Sequence, residues 1–438
     1  MSGWAVDGTA FTKRGKVIPI TGMFLALACL LVACGGHNKS SNEKLKANIG
    51  IAMSNVEGFV ITQGASTASM GIAPQGSGNS KLWAMLKEGT LEPITLTEGG
   101  GSMPIPVAIF DTKTYVIFAY SGLGYGAKTC NLVPVSKADG SMYCVDAGDT
   151  FHSDDHEFEQ FWGVIEADAT GNVVWESHGG KIIRLDLADP NHATESVQIS
   201  GEDQGCSQAV NGAGDDLVSC MGSQNGVFTR VLKVGGGFFN ASQNLGGCVV
   251  AGTPANPDDF YFIDETNSGG NVNELTKLTR SPSDGSFTKT DLGQIESFGC
   301  QAGIARNSTH IFLSSGMQGP NRFVDLVADT QTIVTVAALS SIDEIGGYED
   351  AVFIRGTDES GNGGIVKYTI ATAAFSTLLT PGDYALTAMS VSPAGEVTFY
   401  GQRASDGAYI LGNIPADSTE VDVIAIGFPT VTQIERID

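Results

Sequence analysis

Three stretches decide the fold: Gly205-Cys206-Ser207-Gln208-Ala209-Val210, Gly247-Cys248-Val249-Val250-Ala251-Gly252 and Gly299-Cys300-Gln301-Ala302-Gly303-Ile304. They align on a Gly-Cys pair, and each runs into a polar turn and then an apolar strand. Those second strands open near Leu217, Phe260 and Ile311, at 11, 12 and 11 residues past the cysteine. A third and a fourth run follow, as in Leu275-Thr276-Lys277-Leu278 and Phe287-Thr288-Lys289-Thr290. The pattern restarts after about 40 to 50 residues, so the chain repeats a four-stranded unit.

Weaker copies lie on both sides. One opens near Phe161-Trp162-Gly163-Val164 and continues through Val173-Val174-Trp175. Another runs through Ala351-Val352-Phe353-Ile354 and Ile365-Val366-Lys367-Tyr368, and the last opens near Leu386 and continues at Val397. Upstream, Pro106 to Ile109 and Tyr115 to Tyr120 form one more. Lys181 to Leu187 alternates apolar and polar residues, the period of a half-buried strand. Tyr115 to Tyr120 is apolar on both faces, as a strand covered on both sides requires. The first unit, with Phe59 to Thr62, Leu82 to Met85 and Glu92 to Leu96, lacks a strand before Phe59. The C-terminus holds a spare one, Thr430 to Ile437.

This spacing is that of propeller blades, and the repeat over residues 50–438 resembles the β-propeller lipoproteins of bacterial envelopes. The fold expected is all-β, a β-propeller of eight blades (seven is the alternative), closed by the C-terminal strand pairing with the segment around Phe59 to Gln63. Closure removes the exposed sheet edges of an open array. The WD dipeptide, the Asp-box of sialidases and the tryptophan-docking repeat are absent. The role of the eight-bladed outer-membrane-assembly lipoprotein, which carries that last repeat, is therefore not transferred.

The N-terminus gives an address. Lys13, Arg14 and Lys16 precede Val17 to His37, which contains no Asp, Glu, Lys or Arg. Its apolar core, Met23 to Cys34, is short for a spanning helix, and Pro19 and Gly22 interrupt its approach. Leu31-Val32-Ala33-Cys34 resembles the lipobox of bacterial lipoproteins. The resemblance implies a signal peptide over residues 1–33 and acylation of the Cys34 thiol. It also implies outer-membrane sorting in a Gram-negative host, because residue 35 is Gly and not Asp. Residues 34–50, with Gly35-Gly36-His37-Asn38-Lys39-Ser40-Ser41-Asn42, read as a flexible tether, and 51–438 as the propeller.

From Cys34 onward the chain carries 21 Lys and Arg against 47 Asp and Glu, a formal charge of −26. No basic patch can gather on such a surface to neutralise phosphates, so nucleic acid is excluded as a partner. Peripheral attraction to anionic lipid is excluded too, which leaves the acyl chains to hold the membrane.

Six cysteines remain: Cys130, Cys144, Cys206, Cys220, Cys248 and Cys300. An even number in an exported chain suggests disulfides, with fifteen pairings open. In the blade register, Cys206 and Cys220 face each other across a hairpin, and Cys130 and Cys144 flank the turn Lys137-Ala138-Asp139-Gly140. Cys248 and Cys300 hold matching places in adjacent blades. Buried free thiols are the alternative.

His152, Asp154, Asp155 and His156, with Glu157 and Glu159, could ligate a divalent metal, or form an acidic loop between blades. Asp264 to Asn271 and Asp358 to Gly364 place oxygen ligands on a Gly-permissive backbone, which suits Ca²⁺, though neither matches the EF-hand spacing and each also reads as a hairpin turn. Gly122 to Thr129 does not fit the Walker spacing. No G-x-S-x-G or H-E-x-x-H occurs, so no catalytic residue and no organic cofactor is assigned. The reading is a non-enzymatic binding scaffold for an envelope protein or glycan. A carbohydrate-active enzyme on the same fold is the alternative.

Overall fold

In the computed structural model, the residues described are 44–45, 51–62, 81–94, 97–98, 101–102, 105–106, 108–119, 132–143, 164–167, 171, 173–178, 181–187, 194–198, 203–222, 226–233, 238–243, 249–264, 272–296, 304–314 and 319–437. They belong to one body, 42–438. Helix among them is confined to two single 3₁₀ turns, Met53–Asn55 and Ile370–Thr372.

The strands form successive antiparallel meanders in chain order. Unit one pairs Val431–Arg436 with Val56–Thr62, then Lys81–Leu86 and Leu91–Ile94. Unit two runs Ala108–Asp111, Tyr115–Ala119, Leu132–Ser136 and Met142–Tyr143. Unit three spans 164–198, unit four 203–243, unit five 249–296 and unit six 304–335, each with four strands. The last sheet has eight strands. Gly319–Pro320 lies on its edge, followed by Ser341–Tyr348, Ala351–Thr357 and Gly363–Thr369. One 18-residue strand, Ala374–Val391, then leads to Val397–Arg403, Tyr409–Ile414 and Asp422–Ile426. Ala374–Val391 pairs with Gly363–Thr369 along its first part and with Val397–Arg403 along its second. It is thus the fourth strand of unit seven and the first of unit eight.

The Gly-Cys alignment is visible in the register. Ala209 pairs with Leu217, Ala251 with Phe260 and Ala305 with Phe312. Cys206 stands directly opposite Cys220.

Strands of units one, five and seven are apolar on both faces because each is covered on both sides. Phe59 and Ile61 pack with Ile109, Val116 and Phe118 of unit two, whereas Val60 between them packs with Tyr400 and Leu411 of unit eight. Phe260 and Phe262 face unit four, and Tyr261 and Ile263 face unit six. Val352 and Ile354 face unit six, and Ala351 and Phe353 face unit eight. Period-two alternation therefore distributes a strand's side chains between two neighbouring units. Each such side chain contributes about 1.5–3 kcal/mol on full burial. This stacking of meanders face against face is the packing of a β-propeller.

The turn between first and second strands repeats as well. Thr112, Asn211, Asn307 and Ser392 are all buried. The side-chain oxygen of each accepts N–H groups of the turn that follows: Tyr115 at 3.0 Å, Asp215 at 2.9 Å, His310 at 2.7 Å and Glu396 at 3.1 Å. These side chains replace the ladder where the backbone reverses. Several turns also bond to the next unit: Thr112 Oγ1 donates to the Gly171 carbonyl (3.1 Å), Ala255 N–H to that of Ser308 (3.0 Å) and Asn307 Nδ2 to that of Glu349 (2.8 Å).

The tether expected over 34–50 is not wholly free. Lys44–Leu45 adds a fifth strand to unit two, with Lys44 opposite Tyr143 and Leu45 opposite Met142. An unpaired edge offers N–H and C=O groups to any extended segment nearby, and the segment entering the domain takes them.

Candidate functional site

The most perturbed carboxyl among the described residues lies on the C-terminal strand, where units one, two and eight meet. Val431–Arg436 runs antiparallel to Val56–Thr62, with Val60 opposite Ile434 and Gly58 opposite Arg436. Residue 58 must be small: a Cβ there would meet the Glu435 carbonyl oxygen at 2.6 Å. Alternation sends Gln433 and Glu435 to one side of this strand and Arg436 to the other.

Toward unit two, the Gln433 side-chain amide pairs with backbone as another strand would. It accepts from Ile109 N–H (2.9 Å) and donates to the Ile109 carbonyl (2.7 Å). Glu435 accepts the backbone N–H of Asp111, and Gln433 Nε2 donates to it at 3.3 Å. The two side chains thus cover the edge of the first strand of unit two. Burial pushes the Glu435 carboxyl up to about 7, and neighbouring Asp111 adds to the rise. Lys137, paired with Asp111 at 2.8 Å, and the hydrogen bonds oppose it.

On the other face, Arg436 is buried and forks between carboxylates of two units. Nη1 donates to Glu57 Oε1 (3.1 Å) and Thr398 Oγ1 (3.2 Å), and Nη2 to Glu396 Oε2 (2.5 Å). Its backbone N–H donates to Ser390 Oγ at 3.1 Å. Burial raises the Glu57 carboxyl against the pull of Arg436. A guanidinium suits this place because its planar fork engages two partners in fixed geometry.

Other charged groups mark other seams. Arg280 of unit five meets the fully buried Asp215 of unit four at 2.7 Å. Asp329 of unit six accepts from Tyr261 (2.9 Å) and Lys277 of unit five. Burial, with that hydrogen bond to Asp329, raises the Tyr261 hydroxyl. Within unit six, His310 Nδ1 lies 2.7 Å from Asp325 Oδ1, with its ring stacked on Phe312. Arg355 pairs with Glu344 at 2.9 Å and donates to the Leu386 carbonyl, and burial raises Glu344.

Chemically, a carboxyl near 7 can hold or release a proton at neutral pH, and Asp111 beside it stays paired with Lys137. The same oxygens serve the architecture, because they cap a strand edge.

Of the residues singled out by sequence, Cys34, Cys130, Cys144, Cys248, Cys300, His152, Asp154, Asp155 and His156 lie outside the described residues. Cys206 and Cys220 are brought opposite each other in backbone register. Of the Asp264 loop, only Asp264 is described, at the end of its strand. Residues 358–362 form a hairpin turn leading into the strand Gly363–Thr369: Asp358 Oδ1 accepts the N–H of Asn362 (2.9 Å) and Ser360 (2.8 Å), which lowers its pKa. Among the described residues, no three His, Cys, Asp or Glu side chains gather as metal ligands. Nor is any helix among them long and apolar enough to cross a membrane. Sequence reasoning missed Glu435, Gln433 and Arg436 as a group. The signal was a strand carrying Gln, Glu and Arg at consecutive inward and outward positions, with partners from 38 to 379 residues away.

No family model matches the chain, and no curated protein matches it. Among solved structures, the chain is similar to a proposed TolB from Agrobacterium tumefaciens, with 12% identity over 60% of this chain and 80% of that one, and a TM-score of 0.32. The WD40 domain of SCAP from fission yeast gives 10% identity, coverage of 72% and 83%, and a TM-score of 0.46. The β-propeller domain of the Trilobed protease from Pyrococcus furiosus gives 8%, coverage of 73% and 95%, and 0.44. The likeness concerns repeated sheets and carries nothing about activity.

Proposed function

We propose that this chain is an exported, lipid-anchored envelope protein whose eight-bladed β-propeller, closed by its C-terminal strand, serves as a rigid binding scaffold. The observation that supports a scaffold most is where the perturbed carboxyls sit. Glu435 accepts the backbone N–H of Asp111 in unit two, Glu57 shares Arg436 with Glu396 of unit eight, and Glu344 accepts the backbone N–H of Met389 in the shared strand. Active sites instead gather such groups around a cleft that a substrate can enter. The anchor is Cys34, and the partner is an envelope protein or a glycan.

Cys34→Ser cannot form the thioether of an acylated cysteine. The variant should leave the detergent phase in phase partition, and unchanged partitioning would exclude the anchor. For binding, the soluble domain from Lys44 onward is offered to a glycan array and to envelope extracts. Saturable binding without turnover is the result expected. Turnover of a bound glycan would instead favour a carbohydrate-active enzyme.

Three disulfides belong to the same proposal: Cys206–Cys220, Cys130–Cys144 and Cys248–Cys300. Directly opposed residues of an antiparallel pair have Cα atoms about 4.5–5.5 Å apart, within the range a disulfide spans. The register of Cys206 and Cys220 supports the first bridge on that ground. Each should stabilise by about 2–4 kcal/mol. Peptide mapping without reduction should recover the three pairs, and free thiols would remove them from the account.

A further inference from the structure

Two independent observations single out one side of the domain. The first is the fifth strand of unit two. Lys44–Leu45 pairs outside Met142–Tyr143, so the chain enters the domain at the outer edge of that unit. Ten residues separate Cys34 from Lys44. Fully extended, they reach about 35 Å at most.

The second is the distribution of charge. Residues 42–143, which supply units one and two apart from the closing strand, carry seven Lys and seven Asp or Glu. Residues 144–438 carry 13 Lys or Arg against 40 Asp or Glu, a formal −27. The acidity of the protein is therefore confined to the later units. An anionic headgroup layer repels negative charge within about one Debye length, roughly 8 Å at physiological salt. Unit six, with Arg306 and Arg322 against Asp325 and Asp329, is neutral as well, but of the neutral sectors only units one and two hold the leash.

We propose that units one and two form the membrane-facing sector of the anchored domain, and that the acidic units turn away from the anionic lipid in which the anchor sits. This rests on the lipid-anchor reading. The acidic units are then left presented to the aqueous side, where a partner would meet them.

The test uses the full-length acylated protein in vesicles of phosphatidylethanolamine and phosphatidylglycerol. A benzophenone side chain replaces Glu92 or Ala138, exposed in units one and two, or Thr290 or Thr419, exposed in units five and eight. After irradiation, lipid adducts at the first two positions should exceed those at the second two by at least tenfold. Leu45→Pro removes the N–H at the fifth strand and should reduce that ratio toward unity while the protein still floats with the vesicles. Equal adducts in the parent, on protein that floats, would overturn the orientation alone. Protein that fails to float would overturn the anchor and the orientation together.

Discussion

Two seams flanking unit eight are made in different ways. Between units seven and eight the chain does the joining: Ala374–Val391 is one continuous strand shared by both sheets. Between units eight and one the joining falls to side chains and to a strand from the far end of the chain. There Arg436 binds Glu57 and Glu396, and Val60 and Met85 pack with Tyr400, Leu411 and Ile434. A covalent seam costs no further loop closure, and Arg355 and Glu344 only supplement it through the Leu386 carbonyl and the Met389 backbone. A non-covalent seam closes a loop of more than 370 residues, as the separation of Glu57 and Arg436 shows, and recovers that entropy from packing and from charge-assisted hydrogen bonds. Arg436, Glu57 and Glu396 gather at the second seam, with Glu435 on the other face of the same strand, and that strand is where the molecule can be broken.

The largest effect should come from removing the closing strand. Deleting residues 429–438 strips unit one of a strand and leaves Val60 and Tyr400 uncovered. A thermal melt of the truncated domain should show loss of the single cooperative transition, with the midpoint lowered by more than 10 °C, the shift expected when several buried side chains lose their cover. A midpoint equal to the parent's would make the tail dispensable.

Next in size is Arg436→Met. It keeps an apolar stem but leaves Glu57 and Glu396 facing each other unneutralised. Both carboxylates are partly exposed, so the cost should be about 3 kcal/mol, at the low end for breaking a buried ion pair. Urea unfolding measures it. Adding Glu57→Gln and Glu396→Gln should recover most of the loss.

The third effect depends on pH. A folded-state pKa of about 7 for Glu435 against 4.5 unfolded means that the folded protein holds this proton more tightly. Stability from this group is fully present below about pH 4.5 and is lost as pH rises through 7. At one pKa unit per 1.36 kcal/mol, the loss has a ceiling of about 3 kcal/mol. Glu435→Gln should flatten the fall in melting temperature between pH 5 and pH 8 relative to the parent. The same slope in both proteins would show that Glu435 titrates normally.

The smallest effect should fall on the covalent seam. Gly382 turns the corner of the shared strand at φ +105. Gly382→Ala strains that corner at a cost of about 1 kcal/mol or somewhat more. The change should remain local, because no remote strand depends on it.

Much of the fold was legible in the sequence, and the reasons are local. Ala209 and Leu217, or Ala251 and Phe260, lie within a dozen residues of each other, so apolar alternation and a polar turn suffice to mark the hairpin. The incomplete first unit and the spare C-terminal strand could be matched by counting, and they pair. The shared strand was not foreseen: Ile365 to Tyr368 and Leu386 were placed in separate units, whereas Pro381-Gly382 between them serves as a corner inside one strand. The closing site was not legible because Gln433, Glu435 and Arg436 acquire meaning only against Ile109, Asp111, Glu57 and Glu396. The turn residues Thr112, Asn211, Asn307 and Ser392 did leave a signal, a small polar residue ending each first strand, which the spacing of apolar runs overlooks.

The central proposal is that the C-terminal strand, which pairs with Val56–Thr62, closes the propeller. Hydrogen exchange of the soluble domain under native conditions tests it most directly. Amides of Val431–Arg436 should exchange as slowly as those of Val56–Thr62 opposite them, both released only by opening of the whole domain. Fast exchange of 431–436 while 56–62 stays protected would show a strand that frays alone, and would contradict closure at this seam.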